Sequence, residues 1–375
     1  MTEHGFLVIA DITGYTAFFE HAQDSLKSLL ELLVEHTREP LQISRLEGDA
    51  VISFALDGSY IKPQMLLEYL ETTYIAFRQA QQRMRLNTTC RCNACRNIPN
   101  LDLKFFVHHA EFMLQDLGPY TELIGPQVNL IHRLMKNGIT ENTGIKAYAA
   151  FTQAAIEALQ MDNLTRKLPR HQEPDEYEGQ VTLYIQDMHA VWGQQRDLQR
   201  IVVAPEEALL NVEDDLPVGP PLAWDYLTTP EYRAVLDMVD SVEVETPQPG
   251  RIVRGSVYVC AHGEAVVRQA IVDWHPFEYF TYDSAGMLPG TSNLTTVYLS
   301  PIENGTRVLA SVGHTRGPDE ASQQWDQIMV TQGPDRIREG CARLRQRILN
   351  DLELGIIVQP KPFSPTARQV EDAIA

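Results

Sequence analysis

The sequence predicts an α+β protein of two domains. Three observations carry this. At 375 residues the chain is long enough for two domains of ordinary size. The first half mixes short apolar strands with long amphipathic helices. The second half reads as a strand, two short helices, a run of antiparallel strands and one long helix. The composition, 44% apolar and 22% charged, permits a sizeable core.

The first predicted strand is the apolar run Phe6–Ala10, which ends on Asp11. From about Tyr15 the chain turns amphipathic. Leu26, Leu29, Leu30 and Leu33 recur at helical spacing, and Pro40 stops that helix. Leu41–Leu56 alternates as a β-hairpin with Glu47-Gly48-Asp49 at its tip. Gln64–Leu86 is a second long helix, followed by a cysteine-bearing loop. Leu101–Leu114 is a strand and Pro119–Gly125 a turn. Gln127–Lys136 is a helix ended by Gly138. Tyr148–Leu159 reads as a further helix, Thr165–Glu178 as a polar loop and Val181–Ile185 as a strand. The stretch from about Met188 to Arg200 is polar and without strong periodicity, so the domain boundary is placed there. The expected division is a first domain over 1–190, a second over 200–355 and a tail over 356–375.

In the second domain Leu209–Asp215 is a strand, and Leu222–Leu236 gives short helices around Pro230. The strands Ser241–Glu245, Gly250–Ala261, Ala265–Trp274, Glu278–Asp283, Leu294–Leu299 and Arg307–Val312 follow. Glu303-Asn304-Gly305 joins the last two as a hairpin turn. Asp319–Leu354 is helical, with an irregularity expected at Gly333-Pro334. The tail carries Pro360, Pro362 and Pro365 close together.

The net charge of −19 argues against a nucleic-acid partner, whose phosphates demand a basic face. It leaves room for one nucleotide, which needs only a local positive site. No apolar run reaches the length of a membrane span. The N-terminus lacks the pattern of a secretory leader, so a cytoplasmic protein is expected. The odd count of five cysteines does not suggest a disulfide framework.

Four residues of the first half fit one chemical task. Asp11 ends the first strand, and Asp49 sits at the hairpin tip. Two facing carboxylates can bridge two divalent cations, which clamp a triphosphate. An aspartate in either place is also an ordinary cap or turn residue. Asn129 and Arg133, four apart, share one helix face. Asn offers a neutral donor and acceptor, and Arg a charged fork suited to phosphoryl oxygens. Cys90, Cys92 and Cys95 are candidate zinc ligands with His108 or His109 as a fourth. A loop of inert thiols is the other reading.

These fragments resemble the class III nucleotidyl cyclases over roughly residues 5 to 187. The strand-turn-helix ADITGYT is similar to the segment carrying that family's first metal aspartate, which implies that role for Asp11. The backbone carbonyl of Ile12 then falls where the family contacts its second metal. EGDAVISFA resembles the hairpin of the second metal aspartate, implying Asp49. GPQVNLIHRL resembles the helix bearing the transition-state pair, implying Asn129 and Arg133. The base-recognition positions of adenylate-specific members fall on Arg45 and Glu122, where Lys and Asp are usual. LKFFVHHAEF is similar to a strand ending in His-x-Gly, with His108 at the histidine and Ala110 replacing the glycine. The resemblance implies a ferredoxin-like α/β sandwich with two Mg²⁺ or Mn²⁺ ions per site. It also implies a homodimer, because one chain supplies the metal aspartates and the other Asn and Arg. The cysteine loop resembles that of a subgroup of bacterial cyclase-like domains.

PLAWDYLTTPEYRAVL, the ENG hairpin and the terminal helix resemble the START-like (SRPBCC) helix-grip family, over about residues 200 to 354. This implies a cavity between sheet and long helix for a small hydrophobic ligand. Cys260, His262, Trp274 and His275 are candidates to line it, or are ordinary packed residues. The expected function is metal-dependent cyclisation of a nucleoside triphosphate, ATP to cyclic AMP and pyrophosphate, regulated by that ligand. The alternative is a degenerate cyclase fold that binds a nucleotide or partner without turnover.

Overall fold

The first strand runs well beyond the apolar segment that predicts it: β1 covers Thr2–Thr13, and Gly5–Ala10 are buried without interruption. Successive strand residues point to opposite faces, so both faces of β1 are covered. The computed structural model describes residues 2–14, 23–37, 40–59, 61–87, 98–116, 121–196, 198–263 and 265–357. They form an α+β protein of two compact units, one up to residue 198 and one from residue 199.

In the first unit, helix α1 (Gln23–His36) is followed by the hairpin β2 (Gln42–Glu47) and β3 (Ala50–Leu56). Gly48 turns this hairpin with φ +60°, a conformation L side chains rarely adopt. Next come α2 (Pro63–Asn87), β4 (Asp102–Asp116), β5 (Thr121–Ile124), α3 (Pro126–Leu134) and α4 (Ile139–Thr143). Then follow β6 (Tyr148–Thr152), α5 (Gln153–Ala158), α6 (Asp162–Thr165), β7 (Arg170–Asp175), β8 (Gly179–Asp187) and α7 (Met188–Arg196). The sheet order is β2-β3-β1-β4-β6-β8-β7, with β5 on the far end of β4. Among these pairs β4 and β6 run parallel and the others antiparallel. Leu7, Ile9, Ile52, Phe106 and Phe112 of the sheet pack with Val128, Ile131 and Leu134 of α3.

Three predicted elements are corrected here. Tyr148–Thr152 is a strand and not the start of a helix, because it is inserted between β4 and β8 with all five residues buried. Its alanines favour a helix in isolation, and tertiary pairing overrides that preference. The polar loop contains β7, an edge strand whose buried positions are His171 and Glu173, paired at 2.7 Å, so no apolar alternation marks it in the sequence. The polar connection after residue 187 contains α7, anchored by buried Met188. Residues 15–22, which include the predicted start of the first helix, lie outside the described residues, as do Cys90, Cys92 and Cys95.

The second unit begins with β9 (Leu210–Leu216), α8 (Pro220–Thr228) and α9 (Pro230–Asp237). β10 (Ser241–Glu245), β11 (Val257–His262), β12 (Ala265–His275), β13 (Tyr279–Ala285), β14 (Ser292–Ile302) and β15 (Gly305–Val312) follow. Helix α10 (Asp319–Glu353) comes after them. The antiparallel sheet is ordered β10-β11-β12-β13-β14-β15-β9. β11 starts later than expected, since residues 250–256 are turns and coil. Leu210, Val212 and Val312 of the sheet meet Met329 and Ile337 of α10. A Cβ at Gly340 would lie 2.1 Å from the Leu236 carbonyl oxygen, so glycine lets α10 approach α9 this closely.

α10 continues through Pro334. The proline leaves the carbonyl of Val330 without its usual intrahelical donor. Val330 is exposed, so water can satisfy that oxygen. No helix among the described residues is long and apolar enough to cross a membrane.

Candidate functional site

Asp11 and Asp49 are brought together by strand register. In the β1–β3 ladder Asp11 lies opposite Ala50, the residue after Asp49. The Ile12 N–H donates to the Asp49 carbonyl oxygen at 3.1 Å, tying the hairpin tip to the end of β1. Burial is the larger reason that the Asp11 carboxyl is pushed from 3.8 to about 6, and the neighbouring Asp49 charge adds to it. Burial also pushes Asp49 up, against a hydrogen bond from its own backbone N–H. Ile12 is fully buried, backbone included.

A cation opposes the Asp11 charge. Lys104 lies opposite Asp11 in the β1–β4 ladder and lowers its pKa. Its Nζ sits 5.0 Å from the ring centroid of Tyr148, whose hydroxyl donates to Asn137 Oδ1 at 2.9 Å. The sequence reading missed Lys104 and Tyr148. The available signal was a lone cation inside the otherwise apolar run Leu103–Val107 of a strand.

Asn129 is exposed on α3 and Arg133 is half-buried, four residues on. Arg133 is engaged within its own chain. Its Nε and Nη2 donate to Asp175 at 2.7 and 3.1 Å, and its guanidinium lies 4.8 Å from the Tyr177 ring centroid. Asp175 also accepts from the backbone N–H groups of Tyr177 and Glu178. Arg133, first, and then these N–H groups hold its carboxyl far below the usual range. The β7–β8 turn is joined to α3 again where Gln127 Nε2 donates to Glu178 at 3.1 Å. Asp175 lies in the stretch read as a featureless loop, so the sequence offered no reason to pair it with Arg133.

Arg45 and Glu122, separated by 77 positions, form an ion pair. Arg45 Nη2 also reaches Glu47 at 2.8 Å, and His132 Nδ1 lies 3.7 Å from the same carboxylate. His132 Nε2 is buried without a hydrogen-bond partner, and burial lowers its pKa. His132 and Glu47 are further missed members of this cluster.

The two histidines proposed as a fourth zinc ligand are engaged elsewhere. His108 is buried between Thr152 Oγ1 and Gln127 Oε1, each at 2.9 Å, and burial lowers its pKa. Thr152 also caps α5 by accepting from Ala155 N. His109 Nε2 faces Asp57 at 2.7 Å. Among the described residues no group of three or more His, Cys, Asp and Glu is placed to hold a metal. Two carboxylates satisfy a less demanding requirement, because Mg²⁺ is commonly held by one or two carboxylates together with substrate phosphates.

The second unit encloses a cavity of about 500 Å³ between its sheet, α9 and α10. His262 lines it, and Cys260, Trp274 and His275 do not. Cys260 is buried facing Asp237 at 4.0 Å. Trp274 is packed on Trp224 and Phe280 with ring centroids 4.7 and 5.9 Å apart. His275 stacks on Tyr279 at 4.6 Å. The last two therefore build an aromatic core at the other end of β12. Arg233, which the sequence reading passed over, lines the cavity.

A family model described as a protein of unknown function (DUF2652) matches residues 26–143. The chain is 27% identical over 143 residues to the uncharacterized protein Rv2561/Rv2562 of Mycobacterium tuberculosis, a match covering 38% of this chain and 63% of that protein. It thus spans less than two thirds of that relative. Among solved structures, the adenylyl cyclase CyaB from P. aeruginosa is similar at 15% identity and TM-score 0.35, covering 49% of this chain and 94% of that one. A bacterial light-regulated adenylyl cyclase is similar at 12% identity and TM-score 0.33, covering 52% and 98%. Protein MLL2253 from Mesorhizobium loti is similar at 17% identity and TM-score 0.29, covering 38% and 96%.

Proposed function

We propose that the first unit is a metal-dependent nucleotidyl cyclase that converts a nucleoside triphosphate, ATP by preference, to its cyclic monophosphate and pyrophosphate. One observation carries this reading: two neighbouring acidic side chains, Asp11 and Asp49, are held in a site where burial disfavours both charges and the Asp49 charge further raises Asp11. Such a pair is suited to divalent cations, and Mg²⁺ or Mn²⁺ would supply charge neutralisation for the triphosphate and activation of the attacking hydroxyl. Asp11, Asp49 and the Ile12 carbonyl are the groups that would hold the cations. Asn129 and Arg133 of a second copy orient the ribose and receive charge on the transferring phosphoryl group, so the active form is a homodimer. Arg45 and Glu122, with His132 beside them, face the base. The second unit, START-like in element order, binds a small ligand whose occupancy adjusts turnover.

A second reading, nucleotide binding without turnover, is favoured by the engagement of Arg133 with Asp175. Incubation of the full chain with each nucleoside triphosphate and Mg²⁺ or Mn²⁺, with products identified by mass spectrometry, separates the two. Cyclic nucleotide and pyrophosphate in equal amounts are expected. Nucleotide binding with no product establishes the second reading.

A further inference from the structure

The sheet side of the second-unit cavity carries a polar row. Gln269 lies opposite Ser284 across β12 and β13, and Ser284 lies opposite Asn293 across β13 and β14. Residues opposite one another on antiparallel strands project from the same face, and all three line the cavity. Gln269 is spent within the chain: its Oε1 accepts from Arg233 Nη2 at 2.9 Å, and its Nε2 lies 3.5 Å from Asp237 Oδ2. Ser284 Oγ reaches the Ala285 carbonyl oxygen, at a long 3.5 Å. Asn293 differs from both. It is 5% exposed, its side-chain amide makes no hydrogen bond to a described residue, and neither amide atom is sealed off from a water-sized visitor. A donor and an acceptor thus stand open on the cavity wall.

The helix side of the cavity supplies a charge. Helix α10 carries five arginines. Arg338, Arg343, Arg345 and Arg347 face the carboxylates of Asp335, Glu339, Asp214 and Asp351. Arg336 faces none among the described residues, and its Nη2 donates to the Asp237 carbonyl oxygen at 3.2 Å. It is exposed and lines the cavity, so its head group stands where the cavity opens to solvent. Besides His262, the charged groups of the lining are Arg233, Asp237 and Arg336. Arg233 and Asp237 lie 3.0 Å apart and cancel, which leaves the single positive charge of Arg336. We propose that the cavity takes a hydroxylated apolar monocarboxylate, with its carboxylate on Arg336 at the mouth and its hydroxyl on the Asn293 amide. A hydroxyl both donates and accepts, so it answers both halves of that amide, with Ser284 beside it. Val267, Val297, Val308 and Ile337 enclose the hydrocarbon, and about 500 Å³ suits a ligand of drug-like size. This assignment rests on reading the cavity as a ligand site and is independent of the cyclase reading of the first unit.

The test measures binding to the full chain by calorimetry. The probes are decanol, decanoate and three hydroxydecanoates, with the hydroxyl near the head, at mid-chain or at the far end. Decanoate should bind about fivefold more tightly than decanol, the worth of an ion pair at a solvated mouth. At least one hydroxydecanoate should bind about fivefold more tightly than decanoate, the net worth of a hydrogen bond. Arg336→Gln should remove the preference for decanoate over decanol and leave the hydroxyl preference in place. Asn293→Leu should do the reverse. Should Asn293→Leu not fold, the comparison of the hydroxy acids with decanoate on the unaltered chain decides. A wall satisfied by water alone would give the hydroxyl no advantage. Decanol binding as tightly as decanoate, no hydroxy acid exceeding decanoate, or a preference that survives its variant would each overturn the assignment while leaving a ligand site. No binding of any probe would overturn the ligand-site reading and the assignment with it. None of these readouts depends on nucleotide turnover, so failure of the cyclase reading leaves them interpretable.

Discussion

Removing the Asp11 charge should stabilise the metal-free protein while destroying its response to metal. Burial first, and the Asp49 charge second, raise the Asp11 carboxyl from 3.8 to about 6. Because the folded value lies above the unfolded one, the cost is absent below about pH 4 and grows as pH rises through about 6. At about 1.4 kcal/mol per pH unit the full cost above that range is about 3 kcal/mol. Partial contact with solvent reduces the expected gain from Asp11→Asn to about 2 kcal/mol. For a unit of this size that is a rise of about 4 to 8 °C in Tm. The assay is thermal unfolding in EDTA and in Mn²⁺, from pH 4.5 to pH 8, for the native chain and the variant. The native chain should lose stability in EDTA as pH rises and recover it with Mn²⁺. Asp11→Asn should unfold later in EDTA at pH 7.5, should keep only about a third of that advantage at pH 4.5, and should gain nothing from Mn²⁺. A variant that unfolds earlier than the native chain at pH 7.5, or that keeps the Mn²⁺ response, would refute the placement of Asp11 beside a second carboxylate in a cation site.

Three other outcomes are expected. If Asp175 positions Arg133 for the reaction, Asp175→Asn should lower turnover about tenfold with little change in KM for the nucleotide, measured by steady-state kinetics, whereas a rise in turnover would show that Asp175 holds Arg133 away from it. Mixing Asp11→Asn chains with Arg133→Ala chains should restore activity to a preparation of two inactive variants, because a mixed dimer keeps one intact site. An inactive mixture containing verified heterodimers would contradict the shared site. The paired change Arg45→Lys with Glu122→Asp keeps the charges but shortens the bridge, and should raise the ratio of ATP to GTP turnover several-fold in competition assays.

The parts of the site that could be read in the sequence are those set by local chemistry. Asp11 follows an apolar run and Asp49 follows a turn glycine, and antiparallel pairing of β1 with β3 then forces the two together. Pairings between distant segments left no local mark. Asp175 looks like any acid in a polar stretch, yet it holds Arg133 from 42 positions away. Arg233 and Asp237 stand four apart on α9, a spacing that normally describes a solvated surface pair. Only the sheet beneath shows Arg233 to be buried and Asp237 half-buried. The run Tyr148–Thr152 illustrates the same limit in the backbone, since alanine-rich residues became a strand when neighbours on both sides offered hydrogen bonds. Pro334 shows the reverse case. A strong local breaker was accommodated inside α10 because the carbonyl it deprives belongs to an exposed residue.

The position of α10 in the chain has a consequence for synthesis. The sheet of the second unit closes only when β15 pairs with β9, which brings Leu210 opposite Val312. All of the strands and Arg233 precede α10 in the chain, so they leave the ribosome before it does. At about 5–20 residues per second the 35 residues of the helix take about 2–7 s to emerge behind β15. During that interval the apolar face that α10 covers, with Leu210, Val212 and Val312, is open to solvent. The second unit therefore matures through a state in which its sheet is formed and its core is still uncovered, and aggregation through that face is a hazard of synthesis that the finished domain does not share.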